Sequence, residues 1–391
     1  MFADKAKGGV FFAAFFISFS ALGADAEYES KVIFDSVSLV LAAENNASPS
    51  SMMGHSFLKI SGGGRVHAFG YYAVLNGGLK SYISALIGKQ EGAYALSPYQ
   101  SKAAEYLLSE NRSLWEFELD LSTAEKFALK RKIWKLKGQS DTYSFVSHNC
   151  SSAVENLLKS VNPGYGFERT KPFTTPVEYA QFLYQAGKIK KISYVRAPAQ
   201  KKRPVKNILS AAAPSRLAID TTYIEFSPVY QDLRTVSDAY NSELETKMLS
   251  VRFDMQKGRP DKLDLLKLFS VQSVSKYFRV GWESGGVIET GIGAGISKNG
   301  FSAYAVPIVG VRDSGIFAGV KTGGLYRWAD KAKFIVSYEA ATDNTRFSAY
   351  AVIKIRTGTE IYVQYEHVRA DKDKTAAGLA GGFFFFFFFF S

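Results

Sequence analysis

The sequence predicts two unlike parts: an α+β domain over residues 27–187, then an all-β domain over residues 217–391 that reads as a transmembrane antiparallel β-barrel. Three observations predict this. Helical and alternating patterns are mixed in the first part. The second part consists of runs of about 9–12 residues, many alternating in period two and separated by short polar turns, as in outer-membrane strands. Between them, residues 188–216 gather Lys188, Lys190, Lys191, Arg196, Lys201, Lys202, Arg203 and Lys206 around Pro198 and Pro204, the composition of a linker.

Residues 1–26 read as a secretory signal. Lys5 and Lys7 precede the apolar run Val10–Leu22, and Ala24-Asp25-Ala26 supplies a small-residue cleavage site. No other run reaches the roughly 18 apolar residues of a membrane-spanning helix. In the α+β domain, Val37–Ala42 reads as a strand. His55–Ile60 and Arg65–Tyr72 read as a strand pair about Ser61-Gly62-Gly63-Gly64, and Leu114–Leu119 as a further strand. Ser122–Lys137 is a helix opened by the capping box Ser122/Glu125, and Thr175-Pro176 starts another through Ala186.

In the all-β domain the expected strands are 246–255, 263–274, 287–297, 301–311, 316–327, 332–341, 346–355 and 360–368. Met248, Ser250, Arg252 and Asp254 interleave with Leu249, Val251, Phe253 and Met255. Tyr304, Tyr326, Trp328, Tyr338, Tyr350, Tyr362 and Tyr365 suit interfacial girdles. A soluble sandwich or barrel shares the alternation. The run Phe383–Phe390 lacks alternation and carries no chemistry.

The net charge of +12 points to an anionic partner. For an exported chain that partner is an outer-membrane lipid surface rather than nucleic acid, and each basic residue close to such a surface contributes about 1 kcal/mol. The basic linker is either a solvated tether or one held against headgroups. One cysteine excludes an internal disulfide framework, and four histidines without a second cysteine leave no zinc pattern. Neither a metal nor a cofactor is expected.

The chemistry centres on Cys150, in Ser147-His148-Asn149-Cys150-Ser151-Ser152. Ala153, Val154, Leu157, Leu158 and Val161 follow at helical spacing, placing the thiol at a helix start. There, unpaired N–H groups favour thiolate. The plainer reading is a small packed residue. A nucleophilic thiolate needs a base. His55 opens an apolar strand behind Gly54, and His67 lies twelve positions on, across the glycine turn. If the hairpin pairs about that turn, His67 becomes the neighbour of His55 and holds its tautomer. His148 either points away or lines the site, and His367 lies in the β half. Asn149 fixes the turn before the helix. Arg112 is a salt-bridge partner or an anchor for an anionic substrate group.

These residues resemble the circularly permuted papain-like thiol enzymes, in which the histidine strand precedes the cysteine helix. The group includes NlpC-like permuted enzymes and relatives of lecithin retinol acyltransferase. The closer resemblance is to the Lnb N-terminal periplasmic domain family. It rests on Gly54-His55-Ser56-Phe57-Leu58-Lys59-Ile60, on Asn111–Glu116 with Leu119–Ser122, and on Tyr143-Ser144-Phe145 leading to Asn149-Cys150-Ser151-Ser152, covering about residues 35–185. The resemblance implies a permuted papain-like fold and thiol chemistry on an amide or acyl ester through a thioester. It also implies a second histidine as third catalytic group, the role His67 matches, although the closer relatives carry less histidine-like residues there.

The expected protein is an envelope thiol hydrolase or acyltransferase acting through Cys150, with His55 as base, held at the outer membrane by its own barrel with the catalytic domain in the periplasm. A lipid, a lipoprotein or a peptidoglycan peptide would serve as substrate. The alternative is a non-catalytic binding module fused to a porin or adhesion-type barrel.

Overall fold

The computed structural model describes residues 32–44, 54–74, 81, 84–85, 88–168, 174–200, 205, 207–211, 215–236, 243–283, 285–313, 315–329, 331–356, 359–370 and 374–385. The expected signal segment, residues 1–26, lies outside them, as do Phe386–Phe390.

The N-terminal domain is a seven-stranded antiparallel sheet. Its strands are β1 (Ser36–Ala42), β2 (His55–Gly62), β3 (Arg65–Ala73), β4 (Gln90–Pro98), β5 (Leu114–Leu119), β6 (Ser140–Tyr143) and β7 (Ile189–Val195), ordered β6-β4-β3-β2-β1-β5-β7. The helices are α1 (Tyr99–Ala104), running into a π-helical turn Glu105–Ser109, then α2 (Thr123–Leu136), α3 (Cys150–Lys159) and α4 (Pro176–Gln185). Alternation divides the sheet into two apolar faces. Leu39, Leu41, Leu58, Ile60 and Phe117 join Leu129, Ile133, Val154, Leu157, Val177 and Leu183 of α2, α3 and α4 in the larger core. Val40, Ala42, Phe57 and Leu114 face the other way, against Tyr106 of the π-helical turn. Each such fully buried side chain contributes roughly 1.5–3 kcal/mol.

The capping box expected at Ser122/Glu125 forms, and the helix expected from Thr175-Pro176 also opens with one, closed by Glu178. The linker expected at 188–216 needs correction. Ile189–Val195 is an edge strand paired with β5. Ile208 and Ala211 are buried in the larger core, and Gln181 Nε2 donates to the carbonyls of both. The basic residues dominated the composition and hid Ile189, Ile192 and Tyr194, which pair against the sheet edge. Strands β4 and β6 also escaped the sequence, since β4 (QEGAYALSP) and β6 (SDTY) lack β-branched alternation.

The C-terminal part is a thirteen-stranded antiparallel sheet: β8 (Arg216–Asp220), β9 (Tyr223–Ser227), β10 (Val229–Gln231), β11 (Leu244–Asp254), β12 (Arg259–Ser270), β13 (Val274–Glu283), β14 (Gly286–Lys298), β15 (Phe301–Arg312), β16 (Gly315–Trp328), β17 (Ala332–Ala341), β18 (Asn344–Arg356), β19 (Thr359–Ala370) and β20 (Lys374–Phe385). Strands β11 to β20 pair in sequence order. β20 also pairs β8, β8 pairs β9, and β9 pairs β11. β13 falls between the strands expected at 263–274 and 287–297 and has no counterpart in the sequence pattern, because the turn before it at 271–273 (Val-Gln-Ser) carries no Gly or Pro.

One face of this sheet is apolar and exposed, with Ile288, Ile292, Ile296, Val309, Val311 and Ile316 among its residues. The opposite face is buried and charged. Arg279 bonds Asp264 at 2.7 Å and Glu283 at 2.8 Å, Arg312 bonds Glu289 at 2.9 Å, and Lys267 bonds Glu245 at 2.7 Å. Buried charges persist only when paired in this way. The segment after β10 also lies on the buried face. Leu233 packs with Tyr277, Tyr304, Phe317, Leu325 and Ile335, and its carbonyl accepts from Lys333 Nζ at 2.8 Å. Val236 packs with Val352 and Tyr362, and Asp232 meets Arg234 and Lys247.

Candidate active site

Cys150 is the first residue of α3, and the helix starts there because Asn149 caps it. The Asn149 side-chain oxygen accepts from the Ser151 and Ser152 N–H groups at 2.9 and 3.0 Å. Ser152 Oγ in turn accepts from the Asn149 N–H at 2.8 Å. Asn149 Nδ2 donates to the carbonyls of Phe145 and Thr174, fixing the approach to the helix on both sides. The turn expected at Asn149 is thereby a double anchor.

The sulfur is buried, and the helix packs against β2 and β3. The Ser56 N–H and hydroxyl lie against the thiol, together with the Ser151 N–H. From the far side comes Tyr143, the last residue of β6. Its buried side chain interacts with the Cys150 backbone and thiol, and burial keeps its hydroxyl protonated. Burial pushes the thiol pKa up, and the Ser56 and Ser151 donors with Arg112 only partly oppose that push. The thiolate expected from the helix N-terminus is therefore corrected. In this closed, dry setting the resting group is a thiol, because desolvation outweighs the dipole and the donors.

His55 precedes Ser56 at the start of β2. Gly54, at φ +82°, delivers the chain to it, and a Cβ there would sit 3.0 Å from the Ala42 carbonyl oxygen. The imidazole stacks on Tyr72 with 4.9 Å between ring centroids and lies 6.0 Å from Tyr106. Its Nε2 is buried without a hydrogen-bond partner among the described residues. Burial, with Arg112 and Lys102 adding their charge, pushes the imidazole down to about 3, so it is neutral at ordinary pH. The neutral imidazole, whose Nε2 makes no hydrogen bond to the sulfur, is tied to Cys150 through Ser56, its neighbour in the chain.

The structure does not bring His67 to His55. The β2–β3 register pairs His67 with Ile60, five residues along β2 from His55. At about 3.4 Å per residue that is roughly 17 Å, and an odd offset puts the two side chains on opposite faces. Continuing the register sets Tyr72 across from His55, and Tyr72 supplies the stacking partner instead. The expectation failed because pairing the two histidines needs a hairpin centred on residue 61, whereas the register centres it between residues 63 and 64, about two and a half residues on, which changes both distance and face.

His148 has other neighbours: its backbone bridges Ser144, its ring lies 4.8 Å from Tyr71, and its Nε2 is 3.6 Å from Asp141. Arg112 is a clamp. It donates to the carbonyls of Ala43 at 2.5 Å and Ala42 at 3.1 Å, and to Glu110 at 2.8 Å, with its guanidinium over Tyr106. It ties the end of β1 to the entry of β5 and sends positive charge toward both His55 and Cys150. Sequence reasoning missed Ser56, Tyr72 and Tyr143. Tyr143 lies within a stretch already quoted for the family resemblance, so its position was visible although its role was not. No cluster of three metal-ligating side chains occurs among the described residues.

The order of histidine strand, capped cysteine helix and intervening β5 has a counterpart among protein families. Residues 24–183 match the family model described as the Lnb N-terminal periplasmic domain. This stretch carries an Lnb N-terminal domain. The match contains every element of the thiol site, from Gly54 to the Thr174 carbonyl, and ends before β7, which completes the sheet edge. No curated protein matches the chain. Solved structures similar to it include the KdgM porin in complex with disordered oligogalacturonate, at 8% identity over 44% of this chain and 98% of that one, with a TM-score of 0.32. A loop L8 deletion mutant of OmpT, an outer membrane protein of Vibrio cholerae, is similar at 8% identity over 90% of this chain and 98% of that one, with a TM-score of 0.25. The anion-selective porin from Comamonas acidovorans is similar at 9% identity over 90% and 96%, with a TM-score of 0.23.

Proposed function

We propose that the Lnb N-terminal domain is a thiol-dependent acyl hydrolase or acyltransferase of the bacterial envelope, working in the periplasm and held at the outer membrane by β8–β20 closed into a barrel. One observation carries the chemistry: the cysteine helix packs on the histidine strand so that the Cys150 thiol lies beside Ser56, the residue next to His55. The sulfur attacks an ester or amide carbonyl, forming a C–S bond while its proton passes to His55 and the carbonyl electrons move onto oxygen. Collapse breaks the C–O or C–N bond, and the leaving group takes the proton from His55. Water, or an amine in transfer, then attacks the thioester and restores the thiol. The Cys150 N–H and the Tyr143 hydroxyl are the donors available to the oxyanion, an interaction worth about 3–4 kcal/mol per well-aimed donor.

The inverted sheet supports the membrane reading: apolar residues face out, ion pairs face in, and the pairings β20–β8–β9–β11 supply a route to closure. The porin alternative is less favoured. Residues 232–236 reach from β13, β15, β16 and β17 to β18 and β19, which in a closed barrel means crossing the lumen.

The test is to incubate the full-length protein in detergent with a short-chain acyl thioester or p-nitrophenyl ester and examine Cys150 by mass spectrometry. An acyl adduct on Cys150, lost in Cys150→Ser and accumulated or lost in His55→Ala, is expected. Unchanged ester turnover in Cys150→Ser would overturn the reading.

A further inference from the structure

We infer that Phe145 is a positioning residue that couples the thiol site to the apolar face of the C-terminal sheet at β10–β12, so that the site is complete only when that sheet is folded. The inference rests on the reading of Cys150 as the reactive thiol and of β8–β20 as the membrane anchor.

Phe145 sits in the loop between β6 and α3 and belongs to two apolar clusters at once. On one side it packs with Tyr71, Ala85, Tyr143 and Ala153, the last on the first turn of the cysteine helix. Its ring meets Tyr143 edge-on at 5.7 Å. On the other side Phe145 and Val146 pack against Val229, Leu244, Met248, Leu266 and Leu268 of β10, β11 and β12. The Phe145 backbone is fixed as well: its N–H donates to the Ala85 carbonyl at 3.0 Å, and its carbonyl accepts from Asn149 Nδ2 at 3.1 Å.

One residue thus touches the apolar face of β10–β12, the Tyr143 ring and the side chain that caps the cysteine helix. The loop itself is short and tight, since Ser144 and His148 exchange backbone hydrogen bonds and Ser144 Oγ accepts from the Val146 and Ser147 N–H groups. A tight loop transmits displacement rather than absorbing it. Removing the wall formed by Met248 and Leu268 leaves Phe145 packed on one side only. Tyr143 and Asn149 then lose the support that holds them on Cys150. A consequence is that the thiol stays unassembled during transit and becomes organised once the sheet has formed in the membrane.

The experiment uses full-length protein refolded into phosphatidylethanolamine/phosphatidylglycerol vesicles, with heat-modifiable gel mobility reporting the folded sheet. The rate of Cys150 alkylation by iodoacetamide is followed against pH in wild type, Phe145→Ala, Phe145→Leu, Met248→Ala and Leu268→Ala. Loosening is expected to expose the thiol, so Phe145→Ala and the combined Met248→Ala/Leu268→Ala variant react about tenfold faster at a fixed pH below the thiol's, equivalent to about one unit of thiol pKa. Phe145→Leu stays near wild type. Wild-type rates and pH profile in the Met248/Leu268 variant, with heat-modifiable mobility intact, would overturn the coupling. Alkylation needs no turnover, so this outcome is separate from the acyl-adduct assay that tests the thiol chemistry. Loss of heat-modifiable mobility in wild type would instead count against the membrane anchor, and with it against the coupling.

Discussion

The Ser56 N–H lies against the Cys150 sulfur, and that contact joins the histidine strand to the cysteine helix. It fixes the thiol one residue from His55 and keeps it among donors, yet the same enclosure strips it of water. Donors and burial act in opposite directions, and burial prevails. In the proposed reaction the proton therefore leaves the sulfur during attack, with no ion pair formed beforehand.

Because burial holds the thiol pKa up, alkylation of wild-type Cys150 by iodoacetamide should keep accelerating above pH 9, with no plateau in the neutral range. A rate profile that levels off near pH 7 would show a thiolate and contradict the raised pKa.

His67 faces away from the site and Tyr143 faces the sulfur. His67→Ala is expected to leave thioester formation close to wild type. In the proposed reaction Tyr143→Phe removes an oxyanion donor, and it is expected to slow thioester formation about a hundredfold or more. Single-turnover acylation followed by mass spectrometry distinguishes the two, and equal losses in both variants would reverse the assignment.

His55 makes folding sensitive to acid. Its pKa is lowered from 6.5 to about 3 in the folded chain, so between those values the unfolded state binds a proton the folded state refuses. The stability this site contributes is fully present above about pH 6.5 and is lost as pH falls toward 3. His67 and His148, also lowered, act in the same direction. Thermal unfolding followed by tryptophan fluorescence should show a smaller loss between pH 7 and pH 4 in His55→Gln than in wild type, since the amide does not titrate.

The segment Asp232–Val236 occupies the buried face of the C-terminal sheet, with Leu233 held by Lys333 and Asp232 by Arg234 and Lys247. Full-length protein in planar bilayers should give no steady stepwise conductance. Persistent open-channel currents would show that this segment does not block the lumen.

Much of this arrangement was legible in the sequence. The capping box at Ser122, the helix start at Thr175-Pro176, the strand at Leu114–Leu119 and most long strands after residue 244 follow from local pattern, because caps and alternation are decided within a few residues. Cys150 at a helix start and His55 behind Gly54 were legible for the same reason. Strands β4, β6 and β7 were not, since they are held by neighbours rather than by their own composition.

What the sequence determined by itself is the inventory: one cysteine on a capped helix, one histidine behind a glycine that the backbone requires, and a second part of alternating strands. The tertiary structure decided which of these meet. The register of a single hairpin removed His67 from the site and put Tyr72 in its place, β6 brought Tyr143 to the thiol, and burial reversed the ionisation expected at the helix start. Register, neighbouring elements and exclusion of water are properties of the assembled chain: each depends on residues far apart in sequence, and no local pattern encodes them.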